Sequence, residues 1–494
     1  MNPVEHGEVF VLDDGTECDM DFGHYERFLG VTAKGNWNIT MGKVFKSILQ
    51  KERKGEYLGK TVQFIPHVTD EIKQMISCVA KESEADVLLV EIGGTVGDME
   101  NALYLEAVRE LAQDEGRENV LFVHLSYVPI PFGVHEQKSK PTQLSVRELN
   151  KIGIWPDVIV CRCSEMLTDK IKKKIALFCN VKENSVFTAV DVSSVYIAPL
   201  KLKEQGFLKV LDEKLGLKLG DKDGYALANW EKLAQAMIDA KEKKNCDKIN
   251  IGICGKYTAL GDSYASIVEA LYHSAANLGV EVCVSFIDSE KIEEGVSISE
   301  LVKGLSGLIV PGGFGTRGWE GKISLIKYAR ENNIPFLGIC LGLQAAVVEF
   351  SRNVCGLAGS NSTEMNQLAK HKVITLMDAQ KNVVEMGGTM RLGKYEAKLK
   401  QNSTVSKLYG GEVAFERHRH RFEVNPNYHK TLTDKGLVIS GFSLDQTLVE
   451  FIELPTCKYF VATQAHPELK SSLERPAPLF YGLVKAARDK ALSN

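Results

Sequence analysis

Short runs of apolar residues alternate along the chain with longer segments in which apolar residues recur every three or four positions. The apolar runs have the length of buried strands and occupy residues 86–94, 119–129, 157–163, 249–255, 280–288, 307–313, 335–340 and 459–468. The helical segments between them occupy residues 101–116, 146–153, 263–279, 324–333 and 343–350. Apolar strands separated by helices indicate parallel sheets that are covered on both faces. The pattern therefore predicts an α/β protein with two doubly wound, mostly parallel sheets.

The length of 494 residues is too great for one domain, since a domain typically has about 100–200 residues. A charged, lysine-rich stretch at residues 238–249 separates an amphipathic segment from a strand-like run. Such a stretch is usually a solvated linker or helix end. We therefore predict a first domain at residues 1–240, a linker at 241–249 and a second domain at 250–494.

Composition narrows the classes of function. The 60 basic and 64 acidic residues give a net charge of −4, which excludes a polycationic nucleic-acid binder but allows a local basic pocket. No apolar run reaches the ~18 residues that a membrane span requires, and the first residues do not resemble a signal peptide. The odd number of cysteines, 11, indicates free thiols in a reducing compartment. We expect a cytoplasmic enzyme that binds neither nucleic acid nor membrane.

The clearest chemical motif is a strand, the sequence Gly338-Ile339-Cys340-Leu341-Gly342, and then a helix. Glycines at both ends allow the sharp turn of a nucleophile elbow. A cysteine at a helix N-terminus is favoured as thiolate by the helix dipole and the free N–H groups. Cysteine is also a common small core residue, and this is our interpretation of the other ten. Cys161 and Cys163 lack a second pair at zinc spacing, so we predict no metal there.

Two further motifs accompany this cysteine. Upstream, residues 308–315 form a strand that runs into glycines, including Gly313, whose backbone N–H groups could face a developing oxyanion. Downstream, His466 and Glu468 are two residues apart on an extended segment, so Glu468 could orient His466. A single histidine is more often structural, but the three motifs together predict a Cys-His-Glu triad.

This set of motifs resembles the triad-type, class I glutamine amidotransferases. The resemblance implies that Cys340 attacks the glutamine amide, His466 transfers protons and Glu468 holds His466. It also implies a glutamine pocket and oxyanion site formed by Gly313, Leu341, Gly342, Leu343, Gln344, Glu364 and Arg421. Arg421 lies in the sequence RHRHR, where strand alternation puts Arg417, Arg419 and Arg421 on one face and His418 and His420 on the other. The alternative interpretation of RHRHR is a solvated basic strand.

The first half of the chain resembles the CTP synthases. The strings that carry this resemblance are HGEVFVLDDG (6–15), FGHYERFLG (22–30), VEIGGTVGDME (90–100), KSKPTQLSVREL (138–149) and KIALFCNV (174–181). GGTMRLG (387–393) and RHRHRFEVN (417–425) in the second half are also typical of that family. The similarity extends from about residue 3 to residue 490. It implies a P-loop-type synthase domain joined to a class I amidotransferase domain.

The resemblance implies specific ligands for the first domain. UTP or CTP would contact Asp98, Met99, Glu100, Lys138, Ser139, Lys140, Pro141, Thr142, Gln143 and Lys174. ATP would contact Asp21, Val190, Asp191 and Val192, and Mg²⁺ would be bound by Asp21 and Glu91. Lysines suit a triphosphate because each offers a point charge, although surface lysines are the plain alternative. The family also implies a homotetramer and GTP as an activator.

The sequence departs from the CTP synthase pattern at its beginning. The family's first strand and glycine-rich phosphate-binding loop have no counterpart here, and the chain starts after them. Residues 55–61 and 388–394 end like such a loop, but the first has the wrong spacing and the second has Tyr395 where Ser or Thr is needed. We therefore expect an N-terminally incomplete synthase domain with an impaired ATP-dependent step.

Three functions remain open from the sequence. The first is amination of UTP to CTP with ammonia from L-glutamine and energy from ATP, the last step of de novo pyrimidine nucleotide synthesis. The second is a non-synthesising paralogue that binds nucleotides and regulates full-length subunits. The third is an uncoupled glutaminase.

Overall fold

The computed structural model describes residues 7–219, 227–242, 247–256, 261–377, 380 and 389–492. It forms two compact units: Met1–Gly35 together with Gln235–Asn494, and Asn36–Ala234. The first unit is thus discontinuous in sequence, unlike the sequence-based limits of 1–240 and 250–494. The reason is that residues 8–29 carry acidic side chains that pair with arginines of the C-terminal half.

The strands follow the predicted positions closely in the C-terminal half. They are β1 Phe10–Val11, β2 Glu17–Cys18, β3 Val123–Tyr127, β4 Val158–Cys163, β5 Val186–Val190, β6 Lys248–Gly255, β7 Glu281–Asp288, β8 Gly307–Val310, β9 Phe336–Ile339, β10 Ser360–Ser362, β11 His371–Leu376, β12 Arg391–Leu399, β13 Val413–His420, β14 Phe422–Val424, β15 Val438–Ser443, β16 Val449–Glu453 and β17 Phe460–Thr463.

The helices alternate with the strands as the sequence periodicity predicts. They are α1 Asp21–Leu29, α2 Met41–Arg53, α3 Thr69–Ser83, α4 Ala102–Asp114, α5 Lys140–Lys151, α6 Asp169–Cys179, α7 Ala198–Glu204, α8 Phe207–Leu215, α9 Ala228–Glu242, α10 Ala265–Leu278, α11 Ser289–Glu293, α12 Ile298–Leu301, α13 Trp319–Glu331, α14 Leu341–Asn353, α15 Thr404–Tyr409, α16 His429–Asp434 and α17 Pro478–Ala491.

A nine-stranded sheet forms the centre of the first unit, in the order β13-β12-β15-β16-β17-β9-β8-β6-β7. The strands from β17 to β7 are parallel, and those from β13 to β17 are antiparallel. Successive residues of β8 alternate between two cores: Leu308 and Val310 pack with α13 and α14, and Ile309 packs with α10 and α17. This double burial confirms the predicted α/β class, with an antiparallel extension that the apolar runs do not predict.

A separate parallel sheet, in the order β3-β4-β5, lies in the second unit. The strand predicted at residues 86–94 is wrong: these residues have no regular structure, and Leu89 is 74% exposed. A strand requires a hydrogen-bonded neighbour, and no described strand pairs with this segment. An apolar run indicates the tendency to form a strand but cannot supply the partner.

Most of the cysteines that the structure describes are buried, as expected of small core residues. Besides Cys340, the buried cysteines are Cys18, Cys161, Cys163, Cys179 and Cys254. Cys78 is an exception, because it lies on the exposed side of α3. Cys246 falls outside the described residues.

We predict that Phe336→Ala lowers the free energy of unfolding by about 3–5 kcal/mol, because Phe336 is fully buried in β9 and packs on Phe460 with ring centroids 4.5 Å apart. The matched control is Phe415→Ala in β13, since Phe415 is 47% exposed, and its effect is expected to stay below about 1 kcal/mol. Urea unfolding of the full chain measures both. Equal effects would contradict the assigned core.

Candidate active site

Cys340 lies at the sharp turn between β9 and α14. Its φ is +51°, in the left-handed region that non-glycine residues rarely adopt, and its N–H donates to the Thr463 carbonyl oxygen at 2.7 Å. A methyl group on Gly342 would lie 2.0 Å from the Val310 carbonyl oxygen, and one on Gly338 would lie 2.9 Å from the Gly342 backbone. The spacing G-x-C-x-G therefore reflects two close backbone approaches around the cysteine.

His466 and Glu468 stand beside this turn. The Nδ1 atom of His466 is 2.7 Å from Oε1 of Glu468, and the His466 N–H donates to the Arg417 carbonyl oxygen at 2.7 Å. A methyl group on Gly312 would lie 2.8 Å from Cε1 of His466 and 3.6 Å from Cβ of Cys340. The glycine after β8, the cysteine and the histidine thus converge, and the structure brings the three predicted triad residues together.

The surroundings of His466 favour its protonated form. Burial alone would lower the pKa of His466, but the Glu468 carboxylate and Cys340 more than offset this and raise that pKa to about 10. His466 is therefore an imidazolium at neutral pH, close to a nucleophilic sulfur and fixed by a buried carboxylate. This arrangement can supply a proton to a leaving group in an acyl transfer.

Two glutamine side chains complete the surroundings of the sulfur. Nε2 of Gln464 donates to Cys340 Sγ at 3.6 Å, and Nε2 of Gln344 donates to the Phe422 carbonyl oxygen at 3.0 Å. Oε1 of Gln344 is buried and has no hydrogen-bond partner among the described residues. Such an acceptor needs a donor, so it fits the pocket of a polar ligand.

The other residues predicted to bind glutamine lie on two sides of Cys340. Leu341, Gly342 and Leu343 form the buried first turn of α14, and a methyl group on Gly313 would lie 3.6 Å from Cδ2 of Leu341. Oε1 of Glu364 accepts the Gly315 N–H at 2.8 Å, and burial raises the pKa of Glu364.

The strand β13 and its extension carry the sequence RHRHR. Arg421 donates through Nη2 to Oγ1 of Thr389 at 3.0 Å and through Nη1 to Oε1 of Gln380. Arg417 is only 2% exposed in its side chain, so the alternative of a solvated basic strand does not hold. The side chains of His418 and His420 are also buried, 3.0 Å apart between Nδ1 and Nε2, in line with the expected alternation.

The candidate nucleotide residues of the second unit cluster around α5. Ser139, Thr142 and Gln143 are buried, with Nε2 of Gln143 donating to Ser139 Oγ at 3.1 Å and Oγ1 of Thr142 accepting from Ser126 Oγ at 3.0 Å. Lys138, Lys140 and Lys174 reach solvent, and Pro141 stands in the first turn of the helix. The lysines thus surround the start of a helix that internal hydrogen bonds fix.

The remaining candidates lie on turns and strand ends. Asp98 precedes a short turn that includes the exposed Met99 and Glu100, and its Oδ2 accepts the Thr95 N–H at 3.2 Å. Val190 ends β5, and the following Asp191 pairs with Arg162 at 2.7 Å, with Val192 next in the chain. These are exposed positions at the carboxyl end of a parallel strand, where α/β sheets bind ligands.

The two predicted magnesium ligands belong to different units. Asp21 is the first residue of α1, and its N–H donates to Oδ1 of Asp19 at 3.1 Å. Glu91 lies in the irregular segment 86–94. Among the described residues, no group of three or more His, Cys, Asp or Glu side chains could hold a metal ion. Carboxylates of this kind fit magnesium when phosphate oxygens supply the other ligands.

Comparisons with known proteins cover nearly the whole chain. Residues 1–217 match the family model described as CTP synthase N-terminus, and residues 259–486 match that of glutamine amidotransferase class-I. The CTP synthase of Borreliella burgdorferi is 53% identical over 491 residues, which are 98% of this chain and 90% of that protein. The chain belongs to the CTP synthase family. That of Methanococcus maripaludis is 51% identical over 496 residues, which are 99% of this chain and 91% of that protein.

Among solved structures, the glutaminase domain of Trypanosoma brucei CTPS with bound acivicin is 38% identical to the chain, with a TM-score of 0.46. It covers 49% of this chain and 94% of that one. The CTP synthases are ligases of pyrimidine biosynthesis that use a glutamine amidotransferase domain. No helix in the described part of the chain is long and apolar enough to cross a membrane.

Sequence reasoning about this CTP synthase relative missed two groups near the triad. Gln464 lies two residues before His466, and its position in the same motif is the signal that could have identified it. Arg391 is buried against Glu423 and Glu450, at 3.3 Å and 2.6 Å, behind His418. This second group joins β12, β14 and β16, so no local motif could reveal it.

We predict that Glu468→Gln destabilises the CTP synthase relative most at low pH. The pKa of His466 in the folded wild type, about 10, exceeds its usual value of 6.5, so the wild type gains stability below pH 6.5 and loses this gain as the pH rises towards 10. Without the carboxylate, burial lowers the pKa of His466 and removes the gain. Urea unfolding from pH 6 to 9.5 measures the difference in free energy between the two proteins.

The difference between wild type and E468Q is therefore expected to narrow steadily over that range. Glu331→Gln is the control, because Glu331 pairs with Arg330 at 3.3 Å on the surface and stays ionised throughout. Its effect should not change with pH. A pH-independent effect of E468Q would show that Glu468 does not hold a proton on His466.

Proposed function

We propose that the protein aminates UTP to CTP with ammonia that it releases from L-glutamine, in a reaction driven by ATP. The observation that carries this proposal is the buried Cys340–His466–Glu468 constellation in a chain that matches both parts of the CTP synthases. Ammonia made at this constellation requires an acceptor, and the first domain of the family provides one. We also propose a cytoplasmic location.

The constellation suits glutamine hydrolysis step by step. The Cys340 sulfur attacks the side-chain amide carbon, the carbonyl oxygen becomes an oxyanion, and the first turn of α14 near Gly313 is placed to stabilise it. His466 gives its proton to the nitrogen as the C–N bond breaks and ammonia leaves. Water, deprotonated by the now neutral His466, then cleaves the thioester and yields glutamate. Glu468 keeps the imidazole oriented in both steps.

Recognition of the amino-acid end of glutamine falls to charged groups around this site. In our proposal Glu364 binds the ammonium group and Arg421 binds the carboxylate, as opposite charges require. Gln344 contributes its unpaired acceptor to the same ligand. The side chains of Leu341 and Leu343 and the backbone of Gly342 form the wall beside them.

In the synthase part, ATP would phosphorylate O4 of UTP, and ammonia would then displace the phosphate. Lys138, Lys140 and Lys174 are proposed to bind the UTP triphosphate, next to Asp98, Met99, Glu100, Ser139, Pro141, Thr142 and Gln143. Asp21, Val190, Asp191 and Val192 are proposed for ATP. Bound Mg²⁺, with Asp21 and Glu91 as its carboxylates, would neutralise phosphate charge. A homotetramer and activation by GTP complete the proposal.

We predict that Cys340→Ala separates the two reactions. Glutamine-dependent CTP formation should fall by about 10³-fold or more, because the nucleophile is lost, whereas CTP formation from ammonium chloride should remain. The assay contains UTP, ATP and Mg²⁺ with either nitrogen source. Cys355→Ala is the control, since Cys355 lies beyond the other end of α14 and only approaches the Thr431 carbonyl oxygen at 3.9 Å.

Other outcomes identify the competing functions. Glutamate release by the wild type without CTP from either source would indicate an uncoupled glutaminase. Neither product, with UTP still bound, would indicate a regulatory nucleotide-binding protein. Loss of ammonium-dependent synthesis in C340A would contradict the division of labour between the two parts.

A further inference from the structure

The strand β13 touches both reactive residues through its backbone. The carbonyl oxygen of Arg417 accepts the His466 N–H at 2.7 Å, and the carbonyl oxygen of Arg419 lies 3.8 Å from Cys340 Sγ. A small displacement of this strand would therefore alter the distance between sulfur and imidazole. The position of β13 is a condition for the geometry of the candidate site.

The side chains of the same two arginines bind acidic residues near the start of the chain. Nε of Arg417 donates to Oδ1 of Asp13 at 2.6 Å, while Nη1 and Nη2 donate to the two carboxylate oxygens of Glu26 at 2.8 and 2.9 Å. Nε of Arg419 donates to Oε1 of Glu17 at 2.7 Å. All three carboxylates belong to the β1–β2 hairpin or α1. Two bonds to one carboxylate fix the plane of a guanidinium as well as its position.

Arg417 also reaches the far side of the His466–Glu468 motif. Its Nη1 lies 3.4 Å from the carbonyl oxygen of Leu469, directly after Glu468, and donates to it. The backbone of Arg417 thus holds the beginning of the motif and its guanidinium holds the end. Because the group is almost completely buried, each of these bonds forms in a medium where charge interactions are strong.

The hairpin is itself closely seated on the sheet. The Lys394 N–H donates to the Asp13 carbonyl oxygen at 2.9 Å, and Nζ of Lys394 pairs with Oδ2 of Asp13 at 3.0 Å. A methyl group on Gly393 would lie 2.6 Å from the Gly15 nitrogen. Burial would raise the pKa of Asp13, but Arg417 and Lys394 lower it, so Asp13 stays ionised. The acidic side chains are therefore fixed before they meet Arg417.

We propose that Arg417 is a positioning residue for glutamine hydrolysis, and that Asp13 and Glu26 orient its guanidinium so that it holds the His466–Leu469 segment against Cys340. The inference rests on the proposed glutaminase activity. It makes the N-terminal hairpin and α1 a functional part of the amidotransferase site. Arg417 touches neither glutamine nor the reacting atoms, so its effect must appear in the rate of the chemical step.

The test compares Arg417→Lys and Glu26→Gln with the wild type in the full chain. Lysine keeps the charge but offers one point of attachment, so it cannot bind Asp13, Glu26 and Leu469 together. We expect kcat for glutamate release to fall by about tenfold or more in R417K, and less in E26Q. KM for glutamine should stay within about threefold, since the residues proposed to bind glutamine are elsewhere.

Arg330→Lys is the matched control. Arg330 binds the fully buried Glu349 through Nε and Nη2, with 2.8 Å between Nη2 and Oε1, but it lies far from His466 in the fold. R330K should lose thermal stability to a similar degree as R417K and keep its kcat. The comparison separates positioning from general stabilisation, and E26Q, which is milder, covers the case in which R417K does not fold.

Each outcome has a meaning. A fall in kcat for R417K or E26Q, with KM held and R330K unaffected, supports the proposal. Unchanged kcat in both variants overturns it, as does an equal loss of kcat in R330K. A wild type that releases no glutamate refutes the proposed function instead, so the two failures are distinguishable.

Discussion

The candidate site depends on one steric constraint, the contact between α14 and the strand β8. Only a residue without a side chain fits at Gly342, because the Val310 carbonyl oxygen occupies the space where Cβ would stand. This contact brings the start of α14 against the sheet and forces the turn at Cys340 into a left-handed backbone conformation. The same turn aims the sulfur at the end of β17, from which His466 and Glu468 follow. Without that approach the cysteine would be one more buried thiol.

The antiparallel part of the nine-stranded sheet gives this turn its surroundings. The parallel strands position Cys340 and Gly312, whereas β13 supplies the carbonyl oxygens that meet His466 and Cys340 from the other side. Arg417 of β13 links this wall to α1, the helix that opens with Asp21 and carries Glu26. A residue proposed for ATP and a residue that contacts Arg417 therefore share one short helix. A rigid element of this kind can transmit a displacement without any long chain of contacts.

Local patterns predict the parts of the fold that depend on local properties. The runs around Ile309 and Phe336 form strands, and the triad motifs converge, because glycines and apolar alternation express backbone geometry directly. The segment around Leu89 has the same composition and forms no strand, since its state depends on a neighbour. Arg417 and Glu26 are separated by 391 positions, so their pairing leaves no spacing to read. The sequence predicts which residue types could react, but not what holds them in place.

The charges buried around His466 also explain why a single carboxylate can serve it. Burial raises the pKa of Glu8 to about 7, although Ser266 binds its carboxylate. Burial likewise raises the pKa of Glu416 to about 7, although the Tyr409 hydroxyl donates to it. Glu468 adds to both shifts, and its own counter-ion is His466. Below pH 7 the two outer carboxyls are therefore neutral and Glu468 carries the negative charge of the group. As the pH rises through 7 they ionise, which adds negative potential and favours the imidazolium further.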